Sequence, residues 1–352
     1  MFLSPVYIFR RLAYQSLLHR SDDGAGSPAV LFELRRKNFQ ENCLSWLRKL
    51  RPYAAGMSLA IALASIACAS IFIVIAATSM RPEAIAFDRL FIAGIAFWFW
   101  QYWTSQSRAD CLTHDASNKQ PTTEHWRILG LFLLAGGSLA GSQSCSAWSL
   151  TQTTVANSAL LNNLMPLFTT LGAWVVLGQR FSRRFVLGVG VAIAGVIAIG
   201  IQDLHLAADQ LIGDAAALAA AILLAVTLLC IERLRIRYST SATMTGISLV
   251  GTVALLPVAL VNPGNLLPPN SSSGLAIVAL ALVSQVLGNG LLTYSLKSFT
   301  SGLVSVLMLM IPILSALLAA VLFGQQLGWI EGIAFGVVLS GIYLAISGQE
   351  AR

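Results

Sequence analysis

A few polar side chains stand inside long apolar runs of this sequence, and their types suit binding rather than bond-making. Arg89 follows Asp88 near the start of one run, Gln143 lies beside Gly141 and Ser142 in another, Asn157, Asn162 and Asn163 share a third, and Gln285 and Asn289 share a fourth. A guanidinium holds anions, and amides donate and accept hydrogen bonds, but none of these groups is a nucleophile or a general base. Cys43, Cys68, Cys111, Cys145 and Cys230 occur singly, with no C-x-x-C pair, and His19, His114, His125 and His205 fall in polar segments. No metal site, cofactor or catalytic residue is therefore expected. A transferase working at a membrane would need a His, Asp or Glu constellation at a helix end, and none is visible.

The elements that must position these residues follow from composition. The chain of 352 residues is 56% hydrophobic and 11% charged, against about 25% charged in an average soluble domain. A spanning helix needs about 20 mostly apolar residues, and ten such runs can be drawn near 54–79, 84–104, 127–146, 154–177, 185–201, 211–231, 243–261, 274–294, 300–323 and 330–347. Helices are the expected form, because each unpaired backbone N–H or C=O in hydrocarbon costs several kcal/mol. The runs are also about twice as long as a barrel strand.

Basic residues orient the runs. The stretch from Met1 to Arg51 carries nine Lys/Arg and lacks the apolar core of a secretory signal, so 1–53 reads as a basic cytoplasmic tail. With alternating spans, 20 of the 22 Lys/Arg fall on the side of that tail; the exceptions are Arg81 on the opposite side and Arg89 within the second run. Such asymmetry predicts both termini in the cytoplasm of a multi-pass protein of the plasma membrane. The formal net charge of +7 sits in short loops rather than on one basic face, which argues against a nucleic-acid partner. The expected partners are the bilayer and a small-molecule substrate; a homodimer is left open.

An internal register adds mechanism. Sliding the chain by 146 residues aligns Trp148 to Gln179 with Tyr294 to Gln325 without a gap, pairing Ser149 with Ser295, Pro166 with Pro312, Gly178 with Gly324, Gln179 with Gln325, Gly190 with Gly336 and Gly195 with Gly341. Chance among apolar segments gives Leu and Val coincidences, not paired Pro, Gly and Gln. Each copy holds five runs, an odd number, so the second copy enters the bilayer from the opposite side. Inverted repeats of this kind supply alternating access in secondary transporters, with the site near the midplane. The same register pairs Gln143 with Asn289.

The segment from Asn157 to Gly200, its partner in the second half, and the segment Pro82 to Gly94 resemble the EamA repeats of the drug/metabolite transporter superfamily. The resemblance covers about residues 55–347. It implies an all-α integral membrane fold of ten transmembrane helices, divided into repeats at 54–203 and 204–348 with a short cytoplasmic end at 349–352. It also implies a transporter rather than an enzyme, exporting or exchanging a small metabolite or drug-like solute. Arg89 matches an arginine that recurs in the second helix of that family. Gly178-Gln179 and Gly324-Gln325 stand where the family commonly has Gly-Glu, so no coupling role is assigned to them. A nucleotide-sugar or phosphate-ester exchanger of the same superfamily is the alternative, weakened because Arg89 is almost alone within the runs. A membrane-embedded transferase or sensor is the alternative from another class.

The site residues expected from these arguments are Arg89, Gln143, Asn162, Gln285 and Asn289, with Pro166 and Pro312 as hinges because each removes a backbone hydrogen bond. At 100° per residue Asn157, Asn162 and Asn163 cannot share one face, so at least one must bond to a neighbouring helix. Trp98, Trp100, Tyr102 and Trp103 read as an interfacial belt.

Overall fold

The computed structural model describes residues 53–77, 79–109, 122–200, 210–261, 268–323 and 329–348. Two units are distinguished, Met1–Tyr53 and Ala54–Arg352. The basic tail lies outside the described residues, as do Gly324, Gln325, His114 and His205. The described chain forms ten helical rods with no strand among them. They are α1 (53–67 and Ala69–Ala77), α2 (Pro82–Ala109), α3 (Thr122–Gln152), α4 (Val155–Asn162 and Met165–Leu177) and α5 (Arg183–Gly200). The second five are α6 (Leu211–Arg235), α7 (Thr240–Val261), α8 (Ser271–Ser295), α9 (Ser301–Met308 and Met310–Phe323) and α10 (Trp329–Ser347).

Seven of the rods are long and apolar enough to cross a bilayer. The other three are α2, which carries Asp88, Arg89 and a Trp/Tyr-rich C-terminal half, and the shorter α5 and α10. These two pack on each other, while α2 packs on α7. Large apolar side chains such as Val175, Val321 and Tyr343 face outward, as a lipid-solvated surface requires.

In lipid the helices gain little from burying apolar surface against each other, so close packing of small residues and interhelical hydrogen bonds hold them together. The α3–α6 contact illustrates this. Ala216, Ala217, Ala220, Ala221 and Ala225 of α6 are buried, and their small size lets the Ser142 hydroxyl donate to the Ala220 carbonyl at 2.9 Å. About one turn back along α3 and two turns on along α6, Ser138 and Thr227 share a hydroxyl–hydroxyl bond of 2.8 Å.

The two halves pack as an inverted pair. A Cβ on Gly195 of α5 would lie 2.8 Å from the Val338 nitrogen and 3.2 Å from the Ala334 oxygen of α10. Shifting by 146 residues turns Gly195 into Gly341 and Val338 into Ala192, and a Cβ on Gly341 would lie 2.7 Å from Ala192 Cα. The same shift relates Ala334 to Gly188, whose Cβ would meet the Gly341 oxygen at 2.7 Å. Each contact thus recurs with the halves exchanged, the signature of a two-fold relation.

The fourth rod of each half repeats the pattern. Thr154 caps α4 in extended geometry (φ −69°, ψ 151°) and accepts from the Asn157 amide. Thr300 caps α9 (φ −75°, ψ 152°) and accepts from the Leu303 amide. Both rods are then interrupted at equivalent places, after Asn162 in α4 and after Met308 in α9. The interruptions fall where Pro166 and Pro312 withhold the amide that would reach back four residues.

The symmetry fails in α8. Residues Leu280–Asn289 form a π-helical stretch between α-helical ends, whereas the equivalent part of α3 is regular α-helix. Wide turns of this kind are rare and concentrate at functional sites.

Candidate functional site

Arg89 sits seven residues into α2, about 10 Å from the helix start at 1.5 Å per residue. One turn to either side on one flank are Ala86 and Ala93, members of the main apolar cluster, and on the other flank Ile85 and Ile92, packed in a second cluster with Ile277 and Leu280 of α8. The guanidinium thus lies at the seam between two apolar clusters, and its Nε is sealed from solvent without a hydrogen-bond partner. Asp88 is 9% exposed, with Oδ2 likewise sealed and unpartnered. Its side chain leaves the helix about 100° away from that of Arg89. An arginine at the centre of a membrane helix costs about 2.5–3.5 kcal/mol on insertion scales; Arg89, a quarter of the way along α2, bears part of that cost.

The α8 residues follow from the packing of α2. Both helices run the same way, and the Phe97 ring fills the place where a Cβ on Gly290 would stand, 3.3 Å from two ring atoms. Counting eight residues back along each puts Arg89 level with about Leu282, and Gln285 roughly one turn deeper. Gln285 is only 2% exposed, and its Oε1 accepts from Asn289 Nδ2 at 2.7 Å. Gly288 lets α1 approach, with Ile66 Cγ1 2.7 Å from the position of a Cβ. Arg89 on α2 and the Gln285–Asn289 pair on α8 thus stand on adjacent helices, one to two turns apart in depth.

On the symmetry-related helix α3, Gln143 is half-buried and makes no hydrogen bond among the described residues. Ser146, one turn further, accepts from Asn162 Nδ2 at 3.1 Å. Asn162 is thus tied to α3, next to Gln143, while Asn157 donates to Asp214 of α6 at 3.4 Å. The three α4 asparagines do diverge, and Asn163 is half-buried. Ser158, on the face of Asn162, is buried against α3, accepting from Ser149 at 3.0 Å. Phe168, Met308 and Met310, from the interrupted middles of α4 and α9, pack against the main apolar cluster. Polar amides and apolar side chains thus stand together at mid-depth of the bundle. Among the described residues no cluster of three or more metal-ligating side chains occurs.

Two carboxylates escaped the sequence reading because they stand at the ends of α6. Near its last turn, Glu232 accepts from Gln179 Nε2 at 2.8 Å and from the Ser301 backbone amide at 2.9 Å. Gly178 makes this reach possible: it ends α4 in the left-handed conformation (φ 66°), which glycine adopts without a Cβ clash, and swings Gln179 inward to 4% exposure. At the other end, Asp214 accepts from Thr153 at 2.7 Å and from Asn157. Both ends of α4 in the first repeat are thus fastened to both ends of α6 in the second.

Helices in two inverted repeats, with amides placed within the apolar bundle, define a multi-pass membrane transporter. The sequence profile of the EamA-like transporter family matches residues 55–201 and again 211–347. The chain belongs to the EamA-like transporter family. An uncharacterized transporter of Archaeoglobus fulgidus is 23% identical over 283 residues, covering 80% of this chain and 93% of that protein. A solved crystal structure, described only as that of a protein, superposes with a TM-score of 0.68 over 84% of this chain and 98% of its own, at 20% identity. That likeness concerns the fold.

Proposed function

We propose that this chain is a secondary transporter of the plasma membrane, both termini cytoplasmic, that exports or exchanges a small metabolite or drug-like solute by alternating access between its repeats. The observation that carries the reading is the exchanged packing of Gly195 on Val338 and Gly341 on Ala192: two halves that are structural equivalents can trade conformations and so expose a central site to one side, then the other. The site is assigned to Gln143, Asn162, Gln285, Asn289 and Arg89, with Pro166 and Pro312 as hinges. Orientation rests on the junctions between α4 and α5, α6 and α7, and α8 and α9, where Arg180, Arg183, Arg233, Arg237 and Lys297 are exposed.

Purified protein in proteoliposomes, loaded with a panel of amino acids, nucleobases, organic acids and sugar nucleotides, tests this reading. Saturable efflux or counterflow of at least one solute is expected, with or without a proton gradient. If no solute moves under gradient or exchange conditions, the transport mechanism proposed here is wrong.

A further inference from the structure

We propose that Arg89 is the anion-binding group of the transport path and that the transported solute carries a carboxylate, held by the guanidinium at the α2–α8 seam with Gln285 and Asn289 one to two turns deeper. The inference rests on the transporter reading above and names its substrate class.

Three observations converge. First, Arg89 has no ion-pair or hydrogen-bond partner among the described residues, and its Nε is sealed. The edge formed by Nε–H and one Nη–H is the fork that takes two carboxylate oxygens side by side. Second, Asp88 does not neutralise it, since the two side chains leave the helix about 100° apart and the carboxylate Oδ2 is itself unpartnered.

Third, the charge has no counterpart in the other half. Reciprocal packing of Gly94 on Ser248 and of Gly251 on Leu90 places Gly246 or Ile247 where the second repeat would carry an equivalent of Arg89. A side chain on Gly246 would collide with the Phe132 ring, 2.6 Å away. The other buried arginine, Arg235, is taken up by the carbonyls of Thr293 and Tyr238, whereas no such bonds hold Arg89 among the described residues. This one serves one side of the midplane, as a group that orients a ligand does. A single guanidinium matches a single carboxylate better than a phosphate ester or sugar nucleotide, whose charges call for several cations.

Matched pairs of solutes decide the matter: aromatic and aliphatic carboxylic acids against their primary amides, in phosphatidylcholine proteoliposomes, for wild type, R89K and R89Q. The acids are expected to be transported by wild type with the lower KM. R89Q is expected to lose about 10- to 100-fold in kcat/KM for the acids, the size of one charge-assisted bidentate pair, and little for any amide that moves. R89K keeps the charge but not the fork and should fall between them, mainly through KM. If R89Q does not fold, the R89K series carries the same decision.

An anion could also come from a lipid headgroup. In that case adding phosphatidylglycerol raises the melting temperature of wild type but not of R89Q, and R89Q slows acids and amides alike; this outcome overturns the substrate assignment. Transport of amides as efficient as of acids, unchanged in R89Q, overturns it too while leaving the transporter reading intact. A wild type that moves no solute removes both.

Discussion

Gly195 lacks a side chain where the backbone of Val338 stands: a Cβ there would lie 2.8 Å from the Val338 nitrogen. Because Gly341 stands in the same relation to Ala192, the α5–α10 seam is a self-complementary contact between two copies of one element, facing opposite ways. The seam is backbone against backbone, and such close approach is what lipid-embedded helices rely on.

Gly195→Ala and Gly341→Ala should therefore destabilise the protein by similar amounts, about 1–3 kcal/mol each as overpacking requires, or more where the backbone cannot yield. Gly190→Ala and Gly336→Ala, the neighbouring paired glycines whose Cβ would meet nothing within 4 Å, should be neutral or slightly stabilising. Thermal unfolding in detergent of the four variants is the check. Unequal behaviour within either pair would contradict the symmetry argument.

Gln179→Glu should be harmful at neutral pH. It sets a second carboxylate against Glu232, in place of the 2.8 Å amide donor, at a cost of about 1–3 kcal/mol. Like charges sharing a site raise the folded-state pKa of one of them above its unfolded value. The variant should accordingly regain stability relative to wild type as pH falls below that raised pKa, and lose it again as pH rises through it. Glu232→Gln in the same background should restore stability near pH 7, with the new amide donating to the carboxylate introduced at position 179. Melting curves between pH 4 and 8 on the three proteins test this, and a Gln179→Glu variant as stable as wild type at neutral pH would rule out the latch.

That latch also marks where the sequence stops being informative. The register of 146 residues was legible because Pro166/Pro312 and Gly195/Gly341 are residue types that apolar drift does not produce in pairs, and the interruptions of α4 and α9 fall where the prolines predict. Glu232 was not legible: a lone carboxylate near three arginines at a helix end has no feature in the sequence that separates a buried latch from a solvated charge, and the left-handed turn at Gly178 brings Gln179 to it. Nor does any residue type in Leu280–Asn289 announce a π-helix, a stretch that packs against α1 and α2. Ser146 went unnoticed because a serine within a membrane helix ordinarily bonds its own backbone, whereas here Asn162 claims it.

The Asn289–Gln285 pair separates folding from function. Asn289→Leu alone leaves the buried Gln285 Oε1 without its 2.7 Å donor, which should cost about 1–3 kcal/mol. Replacing both, as Gln285→Met with Asn289→Leu, removes donor and acceptor together and should be nearly neutral for stability. Transport should be lost in both the single and the double variant. Retained transport in a stable double variant would show that these amides only bind helix to helix.

The equivalent interruptions of α4 and α9 make an opposed pair of perturbations. Pro166→Ala supplies an amide to the Asn162 carbonyl and should straighten α4; Pro312→Ala does the same at the Met308 carbonyl in α9. If the interruptions are hinges, stiffening one repeat biases the two-state equilibrium, and stiffening its inverted counterpart biases it the other way, because the halves exchange roles between states. A single cysteine near Asp214, at one end of α6, and another near Arg237, just beyond the other, can report this through thiol labelling rates. Pro166→Ala should raise labelling at one end and lower it at the other, Pro312→Ala should do the reverse, and the double variant should return towards wild type. A shift in the same direction for both single variants would mean that the kinks are static features of the bundle.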